Sequence, residues 1–444
     1  MRYVRSAIIC ALVASGNQAL AAGYGLKEHS ANAMATAYAG AAATGTDASY
    51  LAYNPASLAD VDTFDVSLSA VSIMPSSKAD YTLASTTAGT PVSGSRSPKA
   101  FIGSAIVPDI GLRYKLSERW AAGLVVSAPW GLKSKYSDDW AGRYYAEGTQ
   151  LLTINAAPTI SYQFAPGLAV GAGLQVEYAK GTLTSAIDLG TIGAIYSVPG
   201  SNPGAQDGQA SFHGGSWGVG FTLGAIAQLD DQLRIGLSYR SPVHHALKGP
   251  LVFTLDNAGV GAALRGATGL FTDTKAKAAV TTPDVIELGA RYRLSERWTG
   301  LAELDWTNWS RFRELRVVAA NPAQPDDVTA ASWKSGWFGS LGAEYRASDH
   351  WQLRAGAGYD TTAASPANLG PRIPDANRTW VSLGARYQVS DAIAVNLTLA
   401  ELFNSNETVN LSPLQAGNAL RGSLAGTTKS GVTVVGIALS YRAL

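Results

Sequence analysis

The sequence predicts an all-β chain, a fourteen-stranded antiparallel transmembrane β-barrel with a small N-terminal helical plug inside its lumen. Three observations carry that prediction. The phrase "RYKLSERWAAGLVV" (113–126) returns almost unchanged as "RYRLSERWTGLAEL" (291–304), and four weaker echoes accompany the pair. Turns inside these phrases are short, whereas the connections between them are long. No stretch of the mature chain is apolar enough for a membrane-spanning helix, and mean hydropathy is only +0.04. A barrel satisfies all three, because lipid-facing and lumen-facing residues alternate along each strand and average out.

Residues 1–21 read as an export signal. Arg2 and Arg5 supply positive charge, residues 6–14 ("SAIICALVA") form a short apolar run, and Ala19-Leu20-Ala21 offers a cleavage site. The run is too short to span a bilayer. The one cysteine, Cys10, falls in this segment, so the mature chain is expected to carry no thiol and no disulfide.

Residues 22–63 are rich in Ala and small polar residues and lack strand alternation, which suits short helices and turns. A segment of this size can fold up inside a barrel as a plug. Within it, Asn54-Pro55-Ala56 places a capping side chain before a rigid turn.

The barrel is expected over 64–444. Its first strand is read at 64–72 and its last at 432–441, with six hairpins between them. These are the two phrases above together with "SYQFAPGLAVGAGL" (161–174), "AIAQLDDQLRIGLSY" (225–239), "EYRASDHWQLRAGAGY" (344–359) and "RYQVSDAIAVNLTL" (386–399). Each joins two strands through a few polar turn residues. The long connections are roughly 73–100, 131–150, 181–215, 243–281, 310–334, 361–377 and 402–430. Short turns on one side and long loops on the other are the organisation of an outer-membrane barrel, with the turns in the periplasm. A soluble sandwich explains neither this asymmetry nor the lack of linkers.

Alternation agrees. Val435, Ile437, Leu439 and Tyr441 share one face of the last strand, against Val434, Gly436, Ala438 and Ser440. Ile286, Leu288 and Tyr292 face away from Glu287, Gly289 and Arg291, and Val381, Leu383 and Tyr387 repeat the arrangement. Tyr114, Tyr162, Tyr292, Tyr345 and Tyr387 all stand at the turn ends of their strands, where an interfacial aromatic girdle belongs.

Composition excludes several functions. A net charge of +1 with 15% charged residues leaves no footprint for nucleic acid. The five histidines lack metal-ligand spacing, and the pairs Asp138-Asp139 and Asp230-Asp231 have too few oxygens nearby for a cation. Gly214-Gly215-Ser216-Trp217-Gly218 matches G-x-S-x-G, but it runs from a loop into a strand, not through the strand–turn–helix a nucleophile elbow needs. No catalytic residue, metal or cofactor is therefore expected.

Two features need a further reason. Pro129-Trp130-Gly131 interrupts the third strand, and proline cannot donate to a ladder, so the wall has either a local gap or a strand end there. Leu247, Leu251, Phe253, Leu255, Leu264, Leu270 and Phe271 put many apolar side chains into one long connection. Capture of a hydrophobe and packing of loop on loop both account for them.

The mature start Ala22-Gly23-Tyr24, the Asn54-Pro55-Ala56 plug motif and the fourteen strands resemble the long-chain fatty acid transporters of bacterial outer membranes. That family also includes uptake channels for aromatic hydrocarbons. Further matches are "SAPWGLKSKYSDDWAGRYYA" (127–146), "SYRSPV" (238–243), "LAELDWTNWSRF" (301–312) and "PRIPDANRTWVSLG" (371–384). The resemblance implies a passive, monomeric channel in the Gram-negative outer membrane, surrounded by lipid and lipopolysaccharide. A hydrophobic small molecule would be caught by the loops, held in an apolar pocket and released through a lateral opening at Pro129-Trp130-Gly131. It also implies that Tyr24 reaches into the pocket, its hydroxyl being a departure from the family pattern. Lys180 aligns with a basic pocket residue, the alternative being a solvated rim charge. For a second basic position, Arg372 and Arg378 are candidates by location. Long-chain fatty acids are the first cargo reading, with aromatic hydrocarbons or a general diffusion porin as alternatives.

Overall fold

A computed structural model of the chain describes residues 23–443. The expected leader, 1–21, lies outside the described residues. Fourteen antiparallel strands close into a barrel. They are β1 Phe64–Ser85, β2 Ala105–Lys115, β3 Trp120–Ser127 continued by Gly131–Lys135, β4 Gly148–Ala165, β5 Leu168–Asp188, β6 Asp207–Gln228 and β7 Leu233–Arg240 continued by His244–Thr254. Next come β8 Thr274–Thr281 continued by Val285–Arg293, β9 Trp298–Thr307 continued by Glu314–Ala319, β10 Gly336–Arg346, β11 Trp351–Asp360, β12 Arg378–Gln388, β13 Ile393–Asn404 and β14 Ser423–Ala443. The barrel closes where β1 pairs with β14, from Phe64 opposite Ala443 to Ser85 opposite Ser423.

All six turns fall where the repeated phrase predicts them. Strand lengths differ: β1 and β14 run well past 64–72 and 432–441, and β5 and β6 extend into the connection read as 181–215. The extensions stand above the membrane, where the outward face carries polar residues such as Lys78, Asp80 and Lys180, so no lipid-facing apolar row marks them.

The "RY" of the phrase has a physical meaning. Alternation sends Tyr114, Tyr292 and Tyr387 outward, where each remains exposed, and sends the arginine before each one inward. Ring pairs Trp120–Tyr162 at 4.8 Å, Trp298–Tyr345 at 4.6 Å and Trp351–Tyr387 at 4.7 Å build the periplasmic girdle. Inside, Arg291 Nη2 lies 2.6 Å from Glu344 Oε2.

Residues 23–63 fill the lumen as a one-turn helix, Ala31–Met34, and three short 3-10 turns. Side chains cap them: Ser30 accepts from Ala33 N–H, Asp47 from Ser49 N–H, and Asn54 from Ala56 N–H. Asn54 Nδ2 also donates to Ala42 O (2.7 Å) and to Ala225 O of β6 (3.1 Å). The plug backbone presses so close to the wall that facing positions must be glycine. A Cβ on Gly224 would sit 2.0 Å from Asn54 Oδ1, and one on Gly236 1.9 Å from Ala42 O.

Arg113, fully buried on β2, ties plug to wall. Its Nε donates to both oxygens of Asp65 (2.9 and 3.0 Å), and Nη1 donates to the plug carbonyls Gly45 O (2.9 Å) and Ser57 O (2.8 Å). Arg113→Ala would leave Asp65 buried without its partner, a change that typically costs about 3–5 kcal/mol. Amides of residues 45–60 should then exchange faster with solvent, and purified protein in planar bilayers should pass ion current where the parent passes little. Unchanged exchange would show that the plug does not depend on this anchor.

Candidate functional site

Above the plug the wall departs from a regular barrel. The β2–β3 ladder stops at Ile110 opposite Val126, and Ala105 to Asp109 pair with β1 alone. At that level β3 breaks over 128–130. The broken strand takes a new partner from the plug: Leu26 N–H donates to Pro129 O (2.9 Å) and Gly131 N–H donates to Tyr24 O (2.8 Å). Trp130 and Gly131 stay bonded to β4 at Thr153 and Leu152, and it is their other edge that pairs with the N-terminal segment in place of β2.

Three adjacent strands on another part of the wall also break, at 241–243 in β7, 282–284 in β8 and 308–313 in β9. They stay linked to each other, since Thr282 N–H donates to Val243 O and Asn308 N–H to Asp284 O, each at 2.9 Å. Val243, Thr282, Trp309 and Phe312 are buried there. Pro242 and Pro283 mark two of these breaks as Pro129 marks the first, a sequence signal that went unread. The glycines of "GGSWGVG" make room for the displaced β7: a Cβ on Gly218 would lie 2.5 Å from Val243 and 2.9 Å from His244 O. The G-x-S-x-G match is thereby explained by packing. Ser216 has only its local hydrogen bond to Trp217 O.

Tyr24 stands where these features meet. Its ring contacts Trp309 at 4.8 Å and Phe312 at 5.4 Å edge-on, and Trp130 at 6.1 Å, while its hydroxyl donates to Thr281 O at 3.1 Å. This aromatic septum separates two cavities. The upper one, about 420 Å³, is lined by Tyr24, Leu132, Leu151, Phe212, Leu247 and Phe312 among others, with no charged side chain. The lower one, about 690 Å³, is bounded by Leu26, Lys27, Pro129, Trp130, Glu287 and Asp360 among others. Above both lies a vestibule of about 2040 Å³, open to solvent, lined by Leu251, Phe253, Leu270, Phe271, Arg372 and Arg421. Phe212 and Leu183 border both the vestibule and the upper cavity.

The loop residues are not loose hydrophobes. Leu247, Leu251, Phe253, Leu264, Leu270 and Phe271 are all buried, and Leu255 packs against the same core. Leu247 stands in the upper cavity, and Leu251, Phe253, Leu270 and Phe271 line the vestibule. Leu264 belongs to helix Val260–Thr268, which packs on helix Leu189–Ile195 of the neighbouring loop, so for Leu255 and Leu264 loop-on-loop packing is the reason.

The expectation for Lys180 is corrected. Ala179 and Gly181 face inward, and the period-2 alternation turns Lys180 to the exposed outer face. Arg378 is buried and donates through Nη2 to Asp375 Oδ1 (3.0 Å), which also accepts Gly23 N–H (3.1 Å). Both Arg378 and Arg372 have Nε and Nη1 buried without a partner, but of the two only Arg372 borders the solvent-open loop cavity. Burial lowers its guanidinium to about 10, still charged at neutral pH.

The sequence reading also missed the polar floor. Lys27 of the plug pairs with Asp305 and lies 4.3 Å over the Phe338 ring, with Glu287 lining the same cavity. Among the described residues, no group of His, Cys, Asp and Glu could hold a metal ion.

Residues 11–443 match the family described as outer membrane protein transport protein (OMPP1/FadL/TodX). The chain belongs to this family. It is 27% identical to the long-chain fatty acid transport protein of Escherichia coli K12 over 447 aligned positions, covering 96% of this chain and 97% of the relative. Outer membrane protein P1 of Haemophilus influenzae is 26% identical and 90% of each chain is covered. The fold is that of a Pseudomonas aeruginosa FadL homologue (TM-score 0.86, 22% identity, 95% and 100% of the two chains) and of the P. putida toluene transporter TodX (TM-score 0.69, 18% identity, 95% and 99%). As a member of the OMPP1/FadL/TodX family, the protein is an outer-membrane channel for hydrophobic substrates.

Two buried groups of the plug, Glu28 and His29, predict that its seating depends on pH. Burial, with both carboxylate oxygens unpartnered, raises Glu28 from 4.5 to about 7, and burial lowers its neighbour His29 from 6.5 to about 3. From about 4.5 to 7 the seated plug keeps a Glu28 proton that a released plug loses, so this group weakens seating as pH rises. His29 acts oppositely between about 3 and 6.5 and partly masks the trend. Comparing Glu28→Gln with the parent isolates the carboxylate. Amide protection in the plug should agree at pH 4, then diverge in favour of the variant up to about pH 7, by no more than about 3 kcal/mol. A pH-independent difference would remove Glu28 from this role.

Proposed function

We propose that the protein takes up long-chain fatty acids passively and as a monomer. The loop vestibule captures the molecule, the upper cavity holds its tail, and release is sideways where β2 loses its pairing with β3. The observation that carries this reading is the series of three cavities ending beside that break. The driving force is ordinary transfer from water. Each buried methylene contributes about 0.8 kcal/mol, so a long acyl chain gains roughly 10 kcal/mol on entering an apolar pocket. The barrier such a route bypasses is the polar, anionic outer leaflet.

The carboxylate needs a cation or several donors when it leaves water. Arg372 takes the role expected of Lys180, since the residue borders the vestibule above the apolar pocket and its buried Nε and Nη1 have no partner. The name of the Escherichia coli relative points to the same cargo. A second reading, aromatic hydrocarbon uptake, is favoured by one observation: the upper cavity holds no charge at all. TodX, described as a toluene transporter, shares the fold. A general diffusion porin fits poorly, because plug and aromatic septum fill the lumen.

Uptake by cells lacking their own hydrophobe channel, and supplied with this one, separates the readings. Labelled oleate should enter, and Arg372→Ala should lower its rate by about tenfold, the cost of one charge-assisted contact of about 1.4 kcal/mol. Labelled toluene entering faster than oleate, indifferent to Arg372, would move the protein to the hydrocarbon reading, and entry of neither would overturn both.

A further inference from the structure

The outer wall carries an arrangement of lysines that the transport route does not use. Lys180 on β5 is in register with Gly215 on β6, Gly215 with Lys248 on β7, and Lys248 with Lys277 on β8. All three lysines are exposed. Lys248 and Lys277 stand directly opposite each other, where like charges are destabilising. No ion pair relieves them among the described residues. The nearby carboxylates are engaged elsewhere, Asp273 accepting Phe253 N–H at 2.8 Å and Glu147 accepting Gln209 Nε2 at 2.8 Å.

The same thing happens at the barrel seam. Lys78 of β1 is directly opposite Lys429 of β14, and Lys99 bridges to Lys78 on its other side. All three are exposed, and the adjacent Asp80 accepts from Ser97 Oγ at 3.1 Å. Two opposed lysine pairs on one barrel carry a repeated cost that an anion lying between the ammonium groups removes.

Height and floor say which anion. At about 3.3 Å per residue and a strand tilt of about 40°, the climb from the periplasmic turn at Leu168 to Lys180 is about 30 Å. That is the thickness of a hydrocarbon layer. The aromatic pair Tyr178–Trp217, rings 5.1 Å apart, lies just below, with Trp217 69% exposed. The row therefore begins at the upper edge of the lipid belt and climbs through the head-group zone. Gly215, between Lys180 and Lys248, has no side chain of its own, and the Tyr178 hydroxyl lies over it, 2.5 Å from where a Cβ would stand.

We propose that the Lys180–Lys248–Lys277 row docks the phosphate groups of the outer-leaflet glycolipid, lipopolysaccharide, and that Lys78 with Lys429 forms a second such site. The row thus serves the surrounding membrane and not the cargo.

The test is titration of purified, detergent-solubilised protein with fluorescent lipopolysaccharide. The variants are Lys180→Gln/Lys248→Gln/Lys277→Gln and, as a control at the periplasmic rim, Lys115→Gln. Heat-dependent gel migration checks that each barrel is folded. The triple variant should bind at least tenfold more weakly, dephosphorylated lipopolysaccharide should bind the parent equally weakly, and the control should match the parent. Millimolar inorganic phosphate should not displace the glycolipid; displacement would show a free-phosphate site and overturn the assignment. Equal binding by parent and triple variant, or by intact and dephosphorylated glycolipid, would also overturn it. If the triple variant does not assemble, Lys248→Glu reads the same contrast through one side chain.

Discussion

Two backbone hydrogen bonds, from Leu26 to Pro129 and from Gly131 to Tyr24, hold the arrangement on which the channel depends. A strand in a membrane barrel cannot leave its neighbour without finding other partners for its amides and carbonyls, because hydrocarbon offers none. Here the plug supplies the partner. The third strand can turn inward only because residues 24–26 are waiting for it, and β2 is left with a free edge as the consequence. Breaking the wall and anchoring the N-terminal segment are the same event.

That event also positions the septum. Trp130 enters the lumen with the displaced strand, and Tyr24 is fixed between it and the inward fold of β7–β9. The opposite fold follows the same rule of substituted partners. Ser241 Oγ and N–H serve Phe221, and Gln175 Nε2 donates to Phe221 O at 3.0 Å, so the lost β6–β7 ladder is partly replaced by side chains. Glycines on β6 give the displaced strand its space. The lumen is narrowed from two sides by wall segments, and one buried tyrosine touches both.

Legibility in the sequence followed distance along the chain. Turns and strand alternation are local and periodic, so six hairpins, the aromatic girdle and the plug could be read from residue spacing. Strand ends above the membrane could not, since their outward faces are polar and carry no lipid-facing apolar row. Lys180 differs for another reason: the family resemblance places it in the pocket, whereas the parity of its own strand turns it outward with Tyr178. The prolines at 242 and 283 carry the same local signal as Pro129. Arg113, Lys27 and the free edge of β2 depend on partners far away in sequence, and nothing local announces them.

Charge is sorted by height and by face. Outside, unpaired lysines stand above the apolar belt and the Trp–Tyr girdle of the turn ends below it. Inside, the vestibule carries both signs, with Arg421 paired to Asp327 and Arg372 beside them, the next cavity holds no charge, and Lys27 and Arg240 face Glu287 and Asp360 in the lowest. For a fatty acid this order has a physical consequence. An ionised head group finds paired charges and Arg372 at the top and no charge in the cavity below, while the tail gains at every step down. On the fatty-acid reading, the head stays with Arg372 at the vestibule because the uncharged cavity below offers an ionised carboxylate no partner. Passage beyond the septum requires the carboxyl to leave as the neutral acid or to follow a tail already drawn through the wall, and a neutral hydrocarbon crosses the same ground with no such requirement.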